Sequence, residues 1–337
     1  MKNLFHAATT ATTATGVNTN TNTSTNTNTK TSAGLASALL GACPLFTMIL
    51  WGSMYVANRM IMESIPAMVL LFVRFAVSGG LLLGVAKLRG LAMIRREDFG
   101  DLLQAAIPGY FICEGALLLS TQYSSAGFAS LLNAMSPVTI SVFAVFFLGE
   151  RLSHREIASL LVAVLGAVVI IGNPGDGVTA VGIFFALLSL VTWSYITTVP
   201  MRRLTAKYDP IVVTGAAMAV AALPALPASA IWMRATGETM HLSAGLILPV
   251  LYVSLVCTAG AHFLWNMAMA RGAATGCAAF YPFQPLTSMV LGVLLLGESC
   301  SASFLTGAAM ILFSILMRQA GAVPALHLKR HRHAWTT

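Results

Sequence analysis

The chain has 337 residues, of which 57% are hydrophobic and only 9% are charged, whereas a soluble globular domain carries about 25% charged residues. This balance excludes an ordinary soluble protein and predicts an all-α integral membrane protein that crosses the bilayer several times. The net charge of +8 requires no nucleic-acid partner, because the positions of the basic residues along the chain explain it.

Residues 1–33 are predicted to form a disordered cytoplasmic tail. Residues 8–32 are almost wholly Thr, Asn, Ala and Ser, and such a segment has too little apolar surface to offset the entropy of ordering. Its Thr/Asn run is not the continuous apolar core of a signal peptide. A mis-assigned start codon explains the segment equally well.

Ten apolar runs of about 20 residues, the length that crosses a bilayer, follow this tail. They cover residues 44–62, 66–86, 102–121, 125–148, 156–172, 178–199, 210–233, 244–269, 274–296 and 302–319. The loops between them are too short to form a soluble domain. We therefore expect the function to reside in the helices.

The basic residues predict the orientation of the chain. If the N-terminus is cytoplasmic, sixteen of the nineteen Lys and Arg residues lie on the cytoplasmic side, as the positive-inside rule requires. Both termini are then cytoplasmic, and residues 320–337 form a basic cytoplasmic tail. The His residues within 327–333 either bind a metal ion or, in the reading we favour, this segment contacts anionic lipid headgroups or fixes the topology.

One proline-to-glutamate spacing occurs twice in the chain. Glu150 follows Pro137 at the same interval at which Glu298 follows Pro285, and each glutamate is preceded by Leu-Gly. A shift of 148 residues superposes the two pairs. The repeated unit indicates a secondary transporter, a class often built from internal repeats.

Each copy of this unit holds five of the predicted spans, within residues 44–172 and 178–319. Because five is an odd number, the second copy enters the membrane from the opposite side, which predicts two inverted five-helix repeats. The charges agree with this arrangement. A basic loop with Arg151 and Arg155 follows Glu150, whereas the residues 299–303 that follow Glu298 are uncharged.

These residues carry a family resemblance. Each unit has a small-residue segment, an intramembrane proline and a Leu-Gly-Glu ending, and the first also has Trp51-Gly52-Ser53 and Arg74. The chain resembles the drug/metabolite transporter superfamily, EamA type, over about residues 44–319. The resemblance implies a ten-helix secondary carrier of the bacterial inner (plasma) membrane, commonly an exporter of amino acids or other small metabolites. Ser299-Cys300 depart from the family, in which a basic-apolar pair more often follows the glutamate.

Glu114 is the acidic residue placed deepest in a predicted span. It lies near the middle of the third span, where a charge costs about 2.5 to 3.5 kcal/mol on insertion scales, and the shift of 148 superposes it on His262. Burial can bring a carboxyl group to titrate near physiological pH, and histidine does so unaided. We therefore interpret the two as a proton-coupling pair near the pseudo-symmetry axis. The alternative is that both are neutral and hydrogen-bond neighbouring helices.

Arg74 lies about 12 Å inside the second span, at 1.5 Å per residue. Its guanidinium can bind a substrate carboxylate through two hydrogen bonds. Alternatively it extends to the headgroups or pairs with a neighbouring helix. Arg59, nearer the end of the first span, is expected to extend to the headgroups.

Several aromatic and amide side chains complete the predicted site. Tryptophan is enriched at membrane interfaces, but three tryptophans fall inside spans, where they line a solute cavity or pack helices together. The amide and phenol groups can hydrogen-bond a solute or a neighbouring helix. The residues concerned are Trp51, Trp193 and Trp265, and Asn133, Tyr281 and Gln284.

Pro137 and Pro285 are the predicted hinges, because a proline removes a backbone donor and permits a bend on which a gate can turn. Kinks without gating would leave the same pattern. Glu150 and Glu298 lie at helix ends near water, and we expect them to anchor or cap the fold rather than contact solute.

The sequence therefore predicts a secondary active transporter, a proton-linked exporter in which two inverted halves rock around a central cavity. A lipid or polyprenyl-lipid translocase on the same scaffold is the alternative. An integral membrane enzyme is disfavoured because the sequence has no paired-carboxylate motif, HExxH, nucleophile elbow or phosphate-binding Gly loop. A channel is disfavoured because no filter-like loop is repeated.

We predict no catalytic residue, no metal site in the spans and no cofactor. The five cysteines form no CxxC pair, so neither a zinc site nor a disulfide framework is indicated. The expected partners are a small-molecule solute, protons and membrane lipid. The sequence leaves monomer and homodimer open.

Overall fold

A computed structural model describes residues 26–149, 152–172, 178–270 and 280–319. Within these ranges the regular secondary structure is helical, and no strand occurs. The α-helices and the two π-helical segments are α1 (Asn26–Met62), α2 (Ala67–Leu88), α3 (Phe99–Gln104), π1 (Ala105–Ile112), α4 (Cys113–Tyr123), α5 (Ala126–Asn133), α6 (Ser136–Leu148), α7 (His154–Ile171), α8 (Ala180–Thr198), α9 (Pro200–Thr205), α10 (Pro210–Thr236), α11 (Ile247–Leu251), π2 (Tyr252–Gly260), α12 (Ala261–Ala270), α13 (Phe283–Leu296) and α14 (Ala302–Gln319).

Seven helical stretches among the described residues are long and apolar enough to cross a membrane. They are Ala67–Leu88, Arg96–Tyr123, Ala126–Phe147, His154–Ile171, Ala180–Thr205, Pro210–Thr236 and Ala244–Ala268, and α13 and α14 are shorter apolar helices. Many large apolar side chains on these helices are exposed, among them Phe184 and Leu294. Such a surface suits hydrocarbon rather than water, so the chain is a multi-pass membrane protein.

Two predicted boundaries differ from the structure. Helix α1 begins at Asn26, so residues 26–33, predicted as part of the disordered tail, are helical. Extending an existing helix adds one hydrogen bond per residue, which offsets the weak helix propensity of Thr and Asn. Residues 1–25 lie outside the described ranges, as do 320–337.

The predicted span 125–148 is interrupted rather than continuous. It consists of α5 and α6, separated at Ala134 and Met135. Pro137 is the second residue of α6, where its missing N–H is one of the donors that a helix start leaves unused. In the predicted span 274–296, only residues from 280 onward are described, and Pro285 likewise lies in the first turn of its helix, α13.

An order of four elements occurs twice. A 3-10 turn at Arg96–Asp98 precedes α3, π1 and α4, and a 3-10 turn at Ala244–Leu246 precedes α11, π2 and α12. The two turns are 148 residues apart, and the two π segments begin 147 residues apart and end 148 apart. The interval found between the proline-to-glutamate motifs thus also relates the backbone of these two regions.

Small residues bring several helices into close contact. A Cβ atom at Gly166 of α7 would lie 2.8 Å from the carbonyl oxygen of Gly307 in α14, and one at Gly52 of α1 would collide with that of Gln284 in α13. Only glycine permits these approaches. Helix α2 packs along α10 in the same bundle, and the centre between α1, α2, α4 and α12 holds the polar residues described below.

Two charged residues hold the turn between α4 and α5. The carboxylate of Glu298 accepts hydrogen bonds from the backbone N–H groups of Ala126 (2.6 Å) and Gly127 (3.2 Å), the first residues of α5. This carboxylate therefore caps the helix, as predicted for Glu298, whereas Glu150 lies outside the described residues. The guanidinium of Arg59 donates to the carbonyl oxygens of Thr121 (2.7 Å), Gln122 and Ser124 (3.3 Å). The free carbonyls at the end of α4 attract the Arg59 guanidinium, and its extension to the headgroups stays a prediction.

Candidate functional site in the membrane interior

Glu114 is the second residue of α4, immediately after π1, and its side chain is 7% exposed. One carboxylate oxygen lies 3.0 Å from Nη2 of Arg74, forming a buried salt bridge between α2 and α4. The other lies 3.7 Å from Nε2 of His262. A charge so far from water needs a partner, and Arg74 supplies it.

Arg74 is fully buried, which excludes one of the three roles that the sequence left open, an extension to the headgroups. Besides Glu114, it donates from Nε to the hydroxyl of Thr258 (3.1 Å) and from Nη2 to the sulfur of Met54 (3.2 Å). Its Nη1 has no hydrogen-bond partner among the described residues. The side chain thus pairs with neighbouring helices and does not extend to the headgroups.

His262 is the second residue of α12, immediately after π2, in the same place that Glu114 occupies after π1. Its Nδ1 lies 2.9 Å from the backbone carbonyl of Thr258. A carbonyl only accepts, so Nδ1 carries the hydrogen in this contact. Nε2 is therefore the nitrogen left to gain or lose a proton, and it faces the carboxylate of Glu114.

Arg74, Glu114, His262 and Thr258, the last through its hydroxyl and its backbone carbonyl, form a closed ring of contacts. Arg74 joins Glu114 to Thr258, Thr258 joins Arg74 to His262, and the gap between His262 and Glu114 completes the ring. That last gap, at 3.7 Å, is the one link longer than a hydrogen bond. A proton held between the imidazole and the carboxylate can close it, since each group is a proton donor in one form and an acceptor in the other.

An aromatic wall surrounds the imidazole. The ring of Trp51 lies 5.0 Å from that of His262, 5.8 Å from Trp193 and 5.5 Å from Trp265, measured between centroids. Tyr110 of π1 lies 5.6 Å from His262 on another side. All three predicted tryptophans therefore belong to one cluster, in the edge-on and tilted arrangements that aromatic pairs prefer.

The predicted amide and phenol groups lie next to this cluster. Gln284 donates from its amide nitrogen to the hydroxyl of Tyr55 (3.1 Å) and to the amide oxygen of Asn133 (3.4 Å). The ring of Tyr281 packs edge-on against Trp265 at 5.4 Å. These contacts bring together residues from α1, from the end of α5 and from α13, close to the interruption between α5 and α6.

A cavity of about 20 Å³ lies at the centre of these residues. It has room for about one water molecule. Six of the predicted residues line it directly, whereas Arg74, Trp265 and Tyr281 lie behind that lining. Its walls are Trp51, Met54, Tyr55, Cys113, Glu114, Leu117, Asn133, Trp193, His262 and Gln284.

A sequence profile described as the EamA-like transporter family matches residues 37–172 and again residues 180–318. The chain belongs to the EamA-like transporter family. The two matches cover both copies of the π-helical region and every residue of the central site. Membership makes transport, rather than an enzymatic reaction, the activity that its relatives share.

Curated EamA relatives match this chain over most of its length. An uncharacterized transporter of Archaeoglobus fulgidus is 24% identical over 80% of this chain and 94% of its own. An uncharacterized inner membrane transporter of Salmonella typhimurium, YicL, is 25% identical over 84% and 94%. A probable terminal-alkyne amino-acid exporter of Streptantibioticus cattleyicolor is 26% identical over 80% and 90%.

A solved protein structure has the same fold as this EamA chain. It covers 86% of the chain and 99% of its own, with a TM-score of 0.64 and 21% sequence identity. At this identity the likeness concerns the fold alone. The all-helical architecture is therefore shared with an experimentally determined structure.

Sequence reasoning missed Thr258, Tyr55 and Met54 at the EamA site. Thr258 precedes His262 by four residues, a spacing that places two residues on one helix face, and this was the signal available for finding it. Tyr55 follows Trp51 by the same spacing. Met54 carried no signal, because an apolar residue in a membrane helix is not distinctive.

Proposed function

We propose that this chain is a secondary active transporter, a proton-linked exporter of amino acids or other small metabolites. The observation that carries the proposal is the buried contact of Glu114 with Arg74 and His262, at equivalent places in two copies of one structural unit. Ionisable groups inside a membrane are costly and mark coupling or solute pathways. Here a carboxyl group and an imidazole meet around a cavity.

The proposed architecture is ten membrane-spanning helices arranged as two inverted repeats of five. Two separate family matches, one for each half of the chain, favour it. The helix contacts agree, since α1 packs on α13 and its counterpart α8 packs on α6, while π1 packs on α10 and its counterpart π2 packs on α2. Each of these contacts becomes the other when the two halves are exchanged, as a pseudo-twofold axis in the membrane plane requires.

The orientation we propose places both termini in the cytoplasm, in the inner membrane of a bacterium. The Glu298 end of the bundle then faces outward. The opposite end carries the ion pairs of Arg203 with Asp101 (3.2 Å) and of Lys207 with Asp98 (2.5 Å). A concentration of basic groups at this end agrees with the positive-inside rule.

Proton coupling follows from the geometry of the ring. With Nδ1 of His262 held by the Thr258 carbonyl, one proton shared between Nε2 and Glu114 has two positions, on the imidazole or on the carboxyl group. Protonation of Glu114 removes the charge that faces Arg74. An ionised Glu114 attracts the ammonium group of an amino acid, whereas a protonated one does not, so proton and solute compete for Glu114, as export against an inward proton gradient requires. The solute carboxylate is left to Nη1 of Arg74, which is without a partner among the described residues. Solute binding and proton binding are thereby linked.

The walls of the cavity suit a small solute with an apolar body. Trp51 and Trp193 offer wide apolar faces, while Asn133 and Gln284 offer hydrogen-bonding groups. An amino acid has a carboxylate for Arg74 and a side chain for the tryptophans. That one relative is named a probable amino-acid exporter agrees with this choice.

Pro137 and Pro285 are the proposed hinges of the transport movement. Helix α5 ends at Asn133 and α6 begins at Ser136, so the regular helix is already interrupted beside Pro137. A rocking movement of the halves requires flexion at about this depth. Proline-to-alanine variants that transport at wild-type rates would remove this part of the proposal.

The test is flux in proteoliposomes that contain the full chain. A panel of amino acids, sugars and cationic drugs is measured with and without an imposed proton gradient. We expect gradient-driven accumulation of a small metabolite by the wild type, none by Glu114→Gln and about a tenth of the wild-type accumulation by His262→Gln. Glu63→Gln is the matched control, because Glu63 is an acid on the protein surface away from the ring.

Unchanged gradient-driven flux in both site variants would contradict the coupling pair. Wild-type flux equal to that of empty vesicles for every solute, with movement of a fluorescent polyprenyl lipid between leaflets, would replace the exporter with the lipid translocase.

A further inference from the structure

Thr258 holds both ionisable partners of Glu114 at once. Its hydroxyl accepts from Nε of Arg74 at 3.1 Å, and its backbone carbonyl accepts from Nδ1 of His262 at 2.9 Å. The same hydroxyl donates to the carbonyl of Val253 at 2.7 Å. A threonine has a single O–H hydrogen, so this donation leaves the oxygen purely an acceptor toward the guanidinium.

The π-helical geometry makes this arrangement possible. Val253 lies five residues before Thr258, and both belong to π2. A π-helical turn spaces carbonyls and donors differently from an α-helix and is frequent at functional sites. Thr258 is fully buried, so no water competes for its hydroxyl.

We infer that Thr258 is a positioning residue for proton coupling, which fixes Arg74 at one edge of Glu114 and leaves Nε2 of His262 as the single exchanging nitrogen. This inference rests on the proposed function. Without the hydroxyl, Nε of Arg74 loses its partner. The guanidinium can then rotate and donate two hydrogen bonds to the Glu114 carboxylate instead of one. A two-point contact holds the carboxylate charge more firmly than a one-point contact. Protonation of Glu114 would then require a lower pH.

The groups that surround Glu114 are known from the described residues. Besides Arg74 and His262, they are Tyr55 of α1, Tyr110 of π1 and the neighbouring Cys113. Among the described residues, the hydrogen-bond partners of the Thr258 hydroxyl are Arg74 and Val253, not these three. A change at that hydroxyl therefore acts on Glu114 through Arg74.

The experiment compares Thr258→Val, which has the same shape without the hydroxyl, with Thr258→Ser, which keeps it. Thr121→Val is the matched control, because Thr121 is equally buried and its hydroxyl bonds only to the carbonyl of Leu117 in its own helix. The first readout is the infrared band of the protonated Glu114 carboxyl group in nanodiscs, assigned as the band that Glu114→Gln removes, followed as a function of pH.

We expect the midpoint of this band to move about one pH unit toward acid in Thr258→Val, because Arg74 gains a second charge-assisted hydrogen bond to the ionised Glu114 carboxylate. Thr258→Ser and Thr121→Val should leave it in place. The second readout separates coupling from folding: gradient-driven accumulation should fall about tenfold in Thr258→Val, while exchange of solute at equal pH stays within about twofold of wild type.

An unmoved midpoint in Thr258→Val, or the same movement in Thr121→Val, would overturn the role of Thr258. The infrared readout needs no transport. Absence of gradient-driven flux in the wild type would therefore defeat the proposed function without deciding on Thr258, which the midpoint decides by itself.

The clasp formed by Glu298 and Arg59 supports a second inference from an independent observation. Glu298, which follows the end of α13, holds the start of α5, and Arg59 of α1 holds the end of α4, so the α4–α5 turn is bound at both of its ends. Each charge opposes the partial charge of the helix end that it touches. A groove of about 320 Å³ lies beside the clasp, lined by Arg59, Glu63, Ser124, Ser125, Leu296, Glu298 and Ser299.

We propose that this clasp is the gate at the Glu298 end. A gate must join elements that separate when the path opens, and α13 and α5 come from different halves of the chain. Gly292 permits the closed form, since a Cβ atom there would lie 2.6 Å from the Glu298 carboxylate. Removing either the carboxylate or the space for it should therefore open the path to the cavity.

Cys113 is a built-in reporter, because its side chain lines the cavity. In a background with Cys43, Cys257, Cys277 and Cys300 replaced by Ser, an impermeant methanethiosulfonate is added to intact cells and, separately, to inside-out vesicles. From the side of Glu298, the labelling rate should rise about tenfold in Glu298→Gln and Gly292→Ala, since each loses a charge-assisted cap. Glu63→Gln, in the same groove but without a cap contact, should label like the parent.

Equal labelling in all variants from both sides would overturn the gate. If the cysteine-depleted protein does not fold, hydrogen exchange of residues 122–128 in the full native-cysteine chain decides. Faster exchange in Glu298→Gln than in Glu63→Gln supports the clasp, and equal rates contradict it.

Discussion

The region from π1 to α4 and the region from π2 to α12 have the same order of helical elements but differ in the ionisable residue that each carries. Each passes from a π segment into an α-helix whose second residue is ionisable and faces the centre, but that residue is Glu114 in one and His262 in the other. Two carboxylates at this distance would repel each other. The shared order of elements thus places the two ionisable groups opposite each other, and the difference in residue type supplies an acid and a base.

The sharpest way to break this complementarity is Glu114→Gln. The substitution leaves the charge of Arg74 buried without its partner, and breaking a buried pair in this way costs about 3 kcal/mol or more. We expect proton-driven accumulation to fall to the level of empty liposomes and the thermal unfolding midpoint in detergent to drop. Adding Arg74→Met should recover stability but not transport. Recovery of transport by the double variant would show that the pair serves packing alone.

His262→Gln breaks the other side of the comparison with a smaller effect. Arg74 and Glu114 keep their salt bridge, so the fold should be retained. The amide keeps one donor and one acceptor but cannot take up a proton, so gradient-driven accumulation should fall about tenfold while exchange at equal pH persists. A parallel loss of both activities would indicate that His262 positions the solute instead.

Exchanging equivalent residues of the two π segments sharpens the comparison of their packing. Gly109 of π1 corresponds to Cys257 of π2, and a Cβ atom at Gly109 would lie 2.6 Å from a methyl carbon of Ile196. Gly109→Cys should therefore destabilise by about 1–3 kcal/mol through overpacking. The reverse exchange, Cys257→Gly, only empties a small space and should cost about 1 kcal/mol. Thermal unfolding of both in the same detergent gives the order, and equal costs would count against the stated packing.

The smallest effect is expected where one copy has a charge and the other does not. Asp98 in the first 3-10 turn accepts from Lys207, whereas the equivalent Leu246 is apolar. The Lys207 side chain is 57% exposed, so Lys207→Met should move the unfolding midpoint by less than about 2 °C. The hydrogen bond to Asp98 raises the pKa of Lys207 above its ordinary 10.5. Its contribution is therefore complete at neutral pH and is lost only as the pH rises through that raised value. A larger shift at pH 7 would make this pair a structural clamp.

Much of the central site could be predicted because charge is rare in a membrane. Glu114 stood out against an apolar background, and the repeat interval led from it to His262. Arg74 could be found but not assigned, because pairing between helices depends on which helices are neighbours, and that was not available from the chain alone. Thr258 was missed because its contribution uses a hydroxyl and a backbone carbonyl, which are common in membrane helices.

The backbone was less accessible than the side chains. An apolar run predicts that a segment is helical but not where the helix pauses, so residues 125–148 read as one span although α5 ends before Pro137. The π segments also have no distinctive composition. Their hydrogen-bond pattern arises from packing against other helices, and hydropathy carries no information about it.

The π segments also set the rotational position of the residues that follow them in the helix. Each takes up more residues per turn than an α-helix, and one residue corresponds to about 100° of rotation. The direction in which Glu114 and His262 point is therefore set by a count of residues upstream as much as by their own identity. Deleting Ala106 would leave the span equally apolar and long enough to cross the bilayer, yet would turn Glu114 by about a quarter of a circle away from Arg74. A change invisible to any measure of hydropathy would thereby separate the charges on which the site depends.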